Sequence, residues 1–309
     1  MSPGLVIGTR GSRLALRQTE IASAALNVAN PGLSLDVKEI TTSGDRSDRS
    51  LSEIGGRGVF VIELERALLE GSIDIAVHSL KDLPSEESAG LTIAAVLPRD
   101  DPRDALVTGS GGDLASLPSG ASVGTGSPRR ASQIRSIRPD LAIKDIRGNI
   151  DTRLRKVEEG HYDAIVLAAA GLSRLGWLDR ANEIFDANIM LPAVGQGALA
   201  VQVRSDDEQT LSIIRSVDDA ATRMAVTAER AFERRLGGGC QAAIAAYGLI
   251  DGMALRLRGL VGDEDGSIIQ GDLEGALDDP DRLGVALAER LIADGASEFV
   301  ATATEETHS

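Results

Sequence analysis

Arginine supplies nearly all of the positive charge in this 309-residue chain, and several arginines stand where turns meet the starts of helices. Arg10, Arg13, Arg129 and Arg130 flank two expected helix N-termini, whose free N–H groups and dipoles favour anions. Arg147 and Arg153 bracket Gly148-Asn149, and Arg174 follows the apolar run ending Ala168-Ala169-Ala170-Gly171. Guanidinium forks grip carboxylates bidentately, so this placement suits a ligand bearing several carboxylates. The alternative is a solvated surface in which the same arginines pair with the abundant Asp and Glu.

Two other places could carry chemistry. His78-Ser79-Leu80-Lys81-Asp82-Leu83-Pro84 ends an apolar run, and ligands of α/β proteins bind just past the carboxyl ends of strands. Asp82 there could assist proton transfer or stabilise a developing cation; a plain surface turn is the alternative. His78 reads as a packed histidine rather than a ligand. Cys240 follows three glycines, which speaks for an accessible thiol at a loop tip. A small buried apolar residue is the other reading of a lone cysteine.

The elements that must position these residues alternate. Leu5 to Arg10 is a short strand, and Ser12 caps a helix over about Arg13 to Val28, stopped by Asn30-Pro31-Gly32. A strand over Leu33 to Ile40 follows, then the polar stretch Thr41 to Gly58, which reads as a mobile surface loop or a lid. A helix over Val59 to Glu70 and a strand over Ile73 to Val77 come next. Such alternation predicts mostly parallel sheets. The pattern recurs: Val123-Gly124-Thr125-Gly126-Ser127-Pro128-Arg129 echoes Ile7 to Arg13, with Ser127 as cap and Pro128 at the first helical position. Glu159-Gly160-His161-Tyr162-Asp163 likewise echoes Glu70 to Asp74. Two lobes of one architecture are expected, with the surplus length of the first placed in Thr41 to Gly58. Crossings between lobes fall at Pro98–Pro102 and Pro192–Gly197, and a hinged cleft is the expectation. Beyond them, a helix over Thr222 to Leu236, hairpin signals at Asp251-Gly252 and Asp265-Gly266, and a helix over Pro280 to Asp294 read as a small α+β domain.

Composition narrows the function. The net charge of −15 argues against nucleic acid and anionic lipid as partners. Aromatics at 2% leave little surface for stacking bases. No apolar run reaches membrane-spanning length, the N-terminal residues read as strand rather than leader, and one cysteine fits a reducing compartment. A cytoplasmic protein is the expectation. There is no phosphate-loop or dinucleotide signature, and three histidines with one cysteine argue against a dedicated metal site.

Six segments, in order, match one family. They are Gly8–Gln18, Asp74–Pro84, Gly124–Arg130, Arg147–Arg153, Leu191–Ala198 and Gly238–Gln241. On these the chain resembles the porphobilinogen deaminase (hydroxymethylbilane synthase) family over nearly its whole length. The resemblance implies an α/β fold of three domains, with two lobes like periplasmic binding proteins whose mixed, mainly parallel sheets flank a cleft. The third is a small α+β C-terminal domain with a three-stranded antiparallel sheet. Residues 1–98 with 198–217 would form the cofactor and catalytic lobe, 103–192 the substrate-binding lobe, and 219–309 the cofactor-attachment domain.

The implied activity is a transferase of tetrapyrrole biosynthesis. It would condense four porphobilinogen molecules head to tail, with loss of ammonia, on a dipyrromethane held by Cys240 through a thioether, and then release hydroxymethylbilane by hydrolysis. The matching positions make Asp82 catalytic, beside the pyrrole N–H groups. Arg10, Ser12, Gln18, Ser79, Lys81, Thr125, Ser127, Arg129, Arg130, Arg147, Asn149, Arg153, Arg174 and Gln196 would bind cofactor or substrate. The family implies a monomer, with porphobilinogen as its small-molecule partner. Three places depart from the usual pattern: Gly126 stands where Ser is common, Gly237 replaces a frequent Glu, and Ala200-Val201-Gln202-Val203 replaces a stretch that usually carries Ile-Glu. Rival readings are a solute-binding protein, the effector-binding part of a regulator, and a hydrolase using Cys240 with a histidine. The missing export signal, the missing DNA-binding module and the missing local Cys-His signature speak against them in turn.

Overall fold

The computed structural model of the chain describes residues 4–41, 61–237 and 242–305. In chain order its first elements are β1 (Gly4–Thr9), α1 (Arg13–Ala29), β2 (Ser34–Glu39), α2 (Ile62–Leu69), β3 (Ile75–Ser79) and β4 (Leu91–Val96). Then come β5 (Asp104–Thr108), β6 (Ser122–Gly124), α3 (Pro128–Ile137), β7 (Ala142–Lys144), α4 (Ile150–Glu158), β8 (Ala164–Ala168), α5 (Ala169–Arg174) and β9 (Glu183–Ile184). The last are β10 (Leu199–Arg204), α6 (Glu208–Ile214), α7 (Ala220–Leu236), β11 (Ala243–Asp251), β12 (Ala254–Gly262), β13 (Ile268–Ala276), α8 (Pro280–Ala293) and α9 (Ala296–Glu305). They form two compact units, Met1–Asp100 with Ala198–Arg223 and Asp101–Gly197 with Met224–Ser309. No described helix is long and apolar enough to cross a membrane.

In the first unit the sheet order is β2-β1-β3-β10-β4. β1 runs parallel to β2 and β3, while β10 is antiparallel to both β3 and β4. Four strands therefore point one way and one the other, the mixed, mainly parallel arrangement expected. Ser12 caps α1, its hydroxyl accepting from the Ala15 amide at 3.2 Å. Ala22 and Leu26, four residues apart, then face Leu5, Ile7 and Ile75 on one side of the sheet. On the other side Leu64, Ala67 and Leu68 of α2 pack on Ile73, Ala76 and Leu91. Each large aliphatic side chain buried this way contributes about 1.5–3 kcal/mol.

The second unit holds two sheets. The first, in order β7-β6-β8-β5-β9, has the topology of the first unit's sheet: three parallel strands and then a reversed one. The second is the antiparallel β11-β12-β13, covered by α7, α8 and α9 around Phe232, Leu257, Leu287 and Leu291. The first hairpin turns through Gly252-Met253, one residue later than the dipeptide suggested, because Asp251 still pairs with Ala254. These two sheets belong to one unit for a physical reason. Leu191 packs with Ala245 and Leu260, Arg135 donates to the Glu264 carbonyl at 2.7 Å, and Arg258 bonds Asn188.

The internal echo is real at the level of hydrogen bonds. Asp74 donates its amide to the Val6 carbonyl at 2.8 Å and accepts the Val6 amide on its carboxylate at 2.9 Å. Asp163 does the same with Ser122, at 3.0 and 2.7 Å. The surplus length of the first lobe is more widely spread than expected. α1 has 17 residues where α3 has 10, and residues 40–61 join β2 to α2 where 145–149 join β7 to α4. The stretch Thr41 to Gly58 lies, after Thr41, outside the described residues.

Candidate active site

Parallel neighbours β1 and β3 deliver their carboxyl ends to one edge of the first sheet. From β1 the chain passes through Arg10 to Ser12; from β3 it enters a 3-10 turn over Leu80–Asp82. That turn is pinned: the Leu80 amide donates to the Ala198 carbonyl at 3.0 Å, and Leu80 and Leu83 are buried. Lys81 and Asp82 are half-buried beside them. Ser79 and Gln18 are brought together, the Gln18 amide nitrogen donating to the Ser79 hydroxyl at 2.8 Å. His78 is the packed histidine expected. It is 6% exposed, bonds Gln202 across the sheet, and burial pushes its pKa down to about 4.

The corresponding edge of the second unit gathers the ends of β6, β7 and β8. Thr125 leaves β6 with its amide on the Lys144 carbonyl and its hydroxyl accepting the Ser127 amide at 3.2 Å. Ser127 occupies the cap position of α3 with Pro128 behind it, yet its hydroxyl makes no capping bond. The bond at this turn is instead the one from the Ser127 amide to Thr125. Past β7, Arg147 pairs with Asp145 at 2.9 Å, and Arg153 donates to the Gly148 carbonyl at 2.7 Å. Gly148, at φ +106°, makes the turn before Asn149, which starts α4. Arg174, at the end of α5, donates to the Gly197 carbonyl at 2.6 Å.

Arg129 and Arg130 are almost wholly buried, 4% and 6% exposed. Both reach Asp104 at 2.7 Å, one on each carboxylate oxygen, and Gln196 adds a bond at 2.9 Å. Their other donors hold the Leu191 and Val166 carbonyls. Burial alone would raise the Asp104 carboxyl, but the two guanidinium groups hold it well below the usual carboxylate range. Two guanidinium groups thus share the one Asp104 carboxylate. The residue before Gln196 is held by a second carboxylate, since buried Glu229 of α7 accepts the Gly195 and Gly248 amides at 2.7 and 2.8 Å.

Asp104 and Glu229 were missed in the sequence. Asp104 had one visible signal, an acid at the head of the apolar run Ala105-Leu106-Val107 in a chain with paired arginines downstream. Glu229 looks like any acid on an amphipathic helix. Cys240 and its neighbours Gly238, Gly239 and Gln241 lie outside the described residues. Among the described residues no cluster of His, Cys, Asp or Glu is arranged to hold a metal ion.

The family model described as porphobilinogen deaminase, dipyromethane cofactor binding domain, matches residues 5–212, and that of the porphobilinogen deaminase C-terminal domain matches 223–293. The porphobilinogen deaminase of Roseiflexus sp. (strain RS-1) is 52% identical over 302 residues, which cover 97% of this chain and all of the relative. That of Syntrophotalea carbinolica is 49% identical over 302 residues, covering 97% and 96%. Among solved structures, a periplasmic binding protein of Salmonella typhimurium is similar at 12% identity and a TM-score of 0.42, over 72% of this chain and 94% of that one.

Proposed function

The chain belongs to the porphobilinogen deaminase family, and on that premise we propose how its residues divide the work. Its activity is that of a hydroxymethylbilane synthase, a transferase of tetrapyrrole biosynthesis that joins four porphobilinogen molecules head to tail with loss of ammonia. Its cofactor is dipyrromethane, which supplies the pyrrole acceptor for the first condensation.

The described residues fit such a cofactor and substrate. Each porphobilinogen carries an acetate and a propionate, and the half-exposed donors at the strand ends are cationic or hydroxylic. We assign Asp82 the catalytic role. Its carboxylate stabilises the cationic methylene-pyrrole left when porphobilinogen loses ammonia, by facing the pyrrole N–H groups. Lys81, Arg10, Ser12 and the Gln18–Ser79 pair hold cofactor carboxylates. Thr125, Ser127, Arg147, Asn149, Arg153 and Arg174 bind substrate carboxylates. Arg129 and Arg130 contribute positive charge from their cluster with Asp104, and Gln196 steadies that carboxylate with a hydrogen bond. Holding two rings in line supplies a further share of the acceleration.

Cys240 is the attachment point in this reading, on a third domain of residues 219–309, with 1–98 plus 198–217 and 103–192 as the other two. A cytoplasmic monomer fits the single cysteine and the charge of −15, which also disfavours nucleic acid as a partner. The observation that carries the proposal is the 52% identity over 302 residues. Intact mass spectrometry of the wild type beside Cys240→Ser tests it. A mass excess of two linked pyrrole units, gained at the latest after incubation with porphobilinogen and absent from the variant, is expected. A wild-type mass unchanged by porphobilinogen would overturn the assignment.

A further inference from the structure

We propose that Gln202 is a positioning residue for the reaction: with His78 and Glu65 it forms a polarised relay that fixes the far face of the turn carrying Lys81 and Asp82. The inference rests on the role given to Asp82 above. Consecutive side chains of a strand point to opposite faces of the sheet, so His78 and Ser79 anchor the end of β3 from both sides. On one face Ser79 is held by Gln18 of α1 at 2.8 Å. On the other, His78 Nε2 meets Gln202 Oε1 at 3.1 Å, Gln202 Nε2 donates to Glu65 Oε1 at 2.9 Å, and Ser88 Oγ donates to Glu65 Oε2 at 2.8 Å.

The chain of bonds has one direction. A carboxylate only accepts, so Glu65 fixes which end of the Gln202 amide faces it, and the amide oxygen is turned to the imidazole. His78 must then carry its proton on Nε2. Four segments meet at this relay: α2 through Glu65, β3 through His78, β10 through Gln202, and the loop after the turn through Ser88. The turn lies between the β3 and Ser88 anchors, and its Leu80 amide is tied to Ala198, the residue preceding β10. Gln202 is 2% exposed and His78 6%, so water does not substitute for either partner.

Two readouts are expected. In the holoenzyme at pH 7, nitrogen-15 NMR shows His78 as the neutral Nε2–H tautomer; Nδ1–H or imidazolium would overturn the proposal. Gln202→Met keeps the volume and removes both bonds. It is expected to lower kcat about tenfold, to leave KM within twofold and to retain the cofactor mass. Val203→Ala, a buried neighbour on the same strand, controls for stability and is expected to leave kcat within twofold. Should Gln202→Met not fold, Glu65→Gln on the half-buried face of α2 replaces it, with a two- to fivefold loss in kcat and a mixed His78 tautomer expected. Asp82→Asn is measured alongside. Collapse of turnover in Asp82→Asn with kcat unchanged in the relay variants would refute the relay alone. Near-normal turnover in Asp82→Asn would refute the role of Asp82 itself.

Discussion

Replacing Asp104 by Asn removes one charge from a buried cluster and leaves the shape nearly unchanged. Asp104 is wholly buried, and Arg129 and Arg130 each contact it at 2.7 Å with side chains 5% and 8% exposed. Breaking a buried pair by removing one partner costs about 3–5 kcal/mol, because the remaining charge has no compensation. Two guanidinium groups lose their counter-ion here, which places the expected cost at the upper end. For a protein of this size 1 kcal/mol corresponds to about 2–4 °C, so the melting temperature should fall by roughly 10–20 °C.

The pH dependence sharpens the test. The folded-state pKa of Asp104 is depressed, so its contribution is present in full above the unfolded carboxylate value near 3.8 and declines as pH falls below it. Between pH 5 and pH 3 the stability gap between wild type and Asp104→Asn should narrow by about 1 kcal/mol. Urea denaturation at the two pH values measures both quantities. A melting temperature within about 2 °C of wild type, or a gap that widens on acidification, would refute the ion cluster as the anchor of the two arginines.

Three other perturbations follow from the same geometry. Asp82→Asn should keep the cofactor mass yet lower turnover by orders of magnitude in a single-turnover assay, since a neutral amide cannot balance the substrate-derived cation. Gly126→Ser should loosen the Asp145–Arg147 pair, because a Cβ there would stand 2.8 Å from Asp145 Oδ1; Asp145 is exposed, so stability should change by less than about 1 kcal/mol while KM for porphobilinogen shifts. His78 has a folded pKa lowered from 6.5 to about 4, so the unfolded chain binds its proton first and stability should fall by roughly 3 kcal/mol as pH drops across that window. A His78→Gln variant should flatten that slope, read from denaturation midpoints at pH 4 and pH 7.

The fold was legible where side-chain spacing carries the signal. Ala22 and Leu26 mark one face of α1, the Glu70–Asp74 and Glu159–Asp163 echoes mark equivalent strand entries, and the glycines at 252 and 266 mark hairpins. What stayed hidden depends on partners distant in sequence. Arg129 and Arg130 look in sequence like surface cations at a helix start. Only the pairing of β5 with β8, and of β8 with β6, brings Asp104 beneath them. The Ser127 hydroxyl reads as the cap of α3, yet it makes no capping bond, and it is the Ser127 amide that is engaged, donating to Thr125 two residues earlier. Glu65 and Gln202 are separated by 137 residues and carry no local pattern.

The carboxylates themselves sort into two groups, and the sorting bears on mechanism. With 47 acidic residues against 32 basic ones, a polyanionic ligand meets repulsion unless the acids near its site are engaged. Asp104 is neutralised by two arginines, Asp145 by Arg147, Asp74 and Asp207 by Arg204, and Asp218 by Arg223. Asp163 is spent on the Ser122 amide and hydroxyl. Among the described residues Asp82 has no such internal bond, although it follows a strand end where His78, Ser79 and Leu80 are each fixed by a named partner. In the role proposed for Asp82, a half-buried carboxylate on a rigid turn, with its oxygens uncommitted, would repel carboxylates of the ligand and attract a cation that forms among its pyrrole N–H groups. That difference between ground state and transition state is what a catalytic charge requires, and an acid already paired with arginine would lack it.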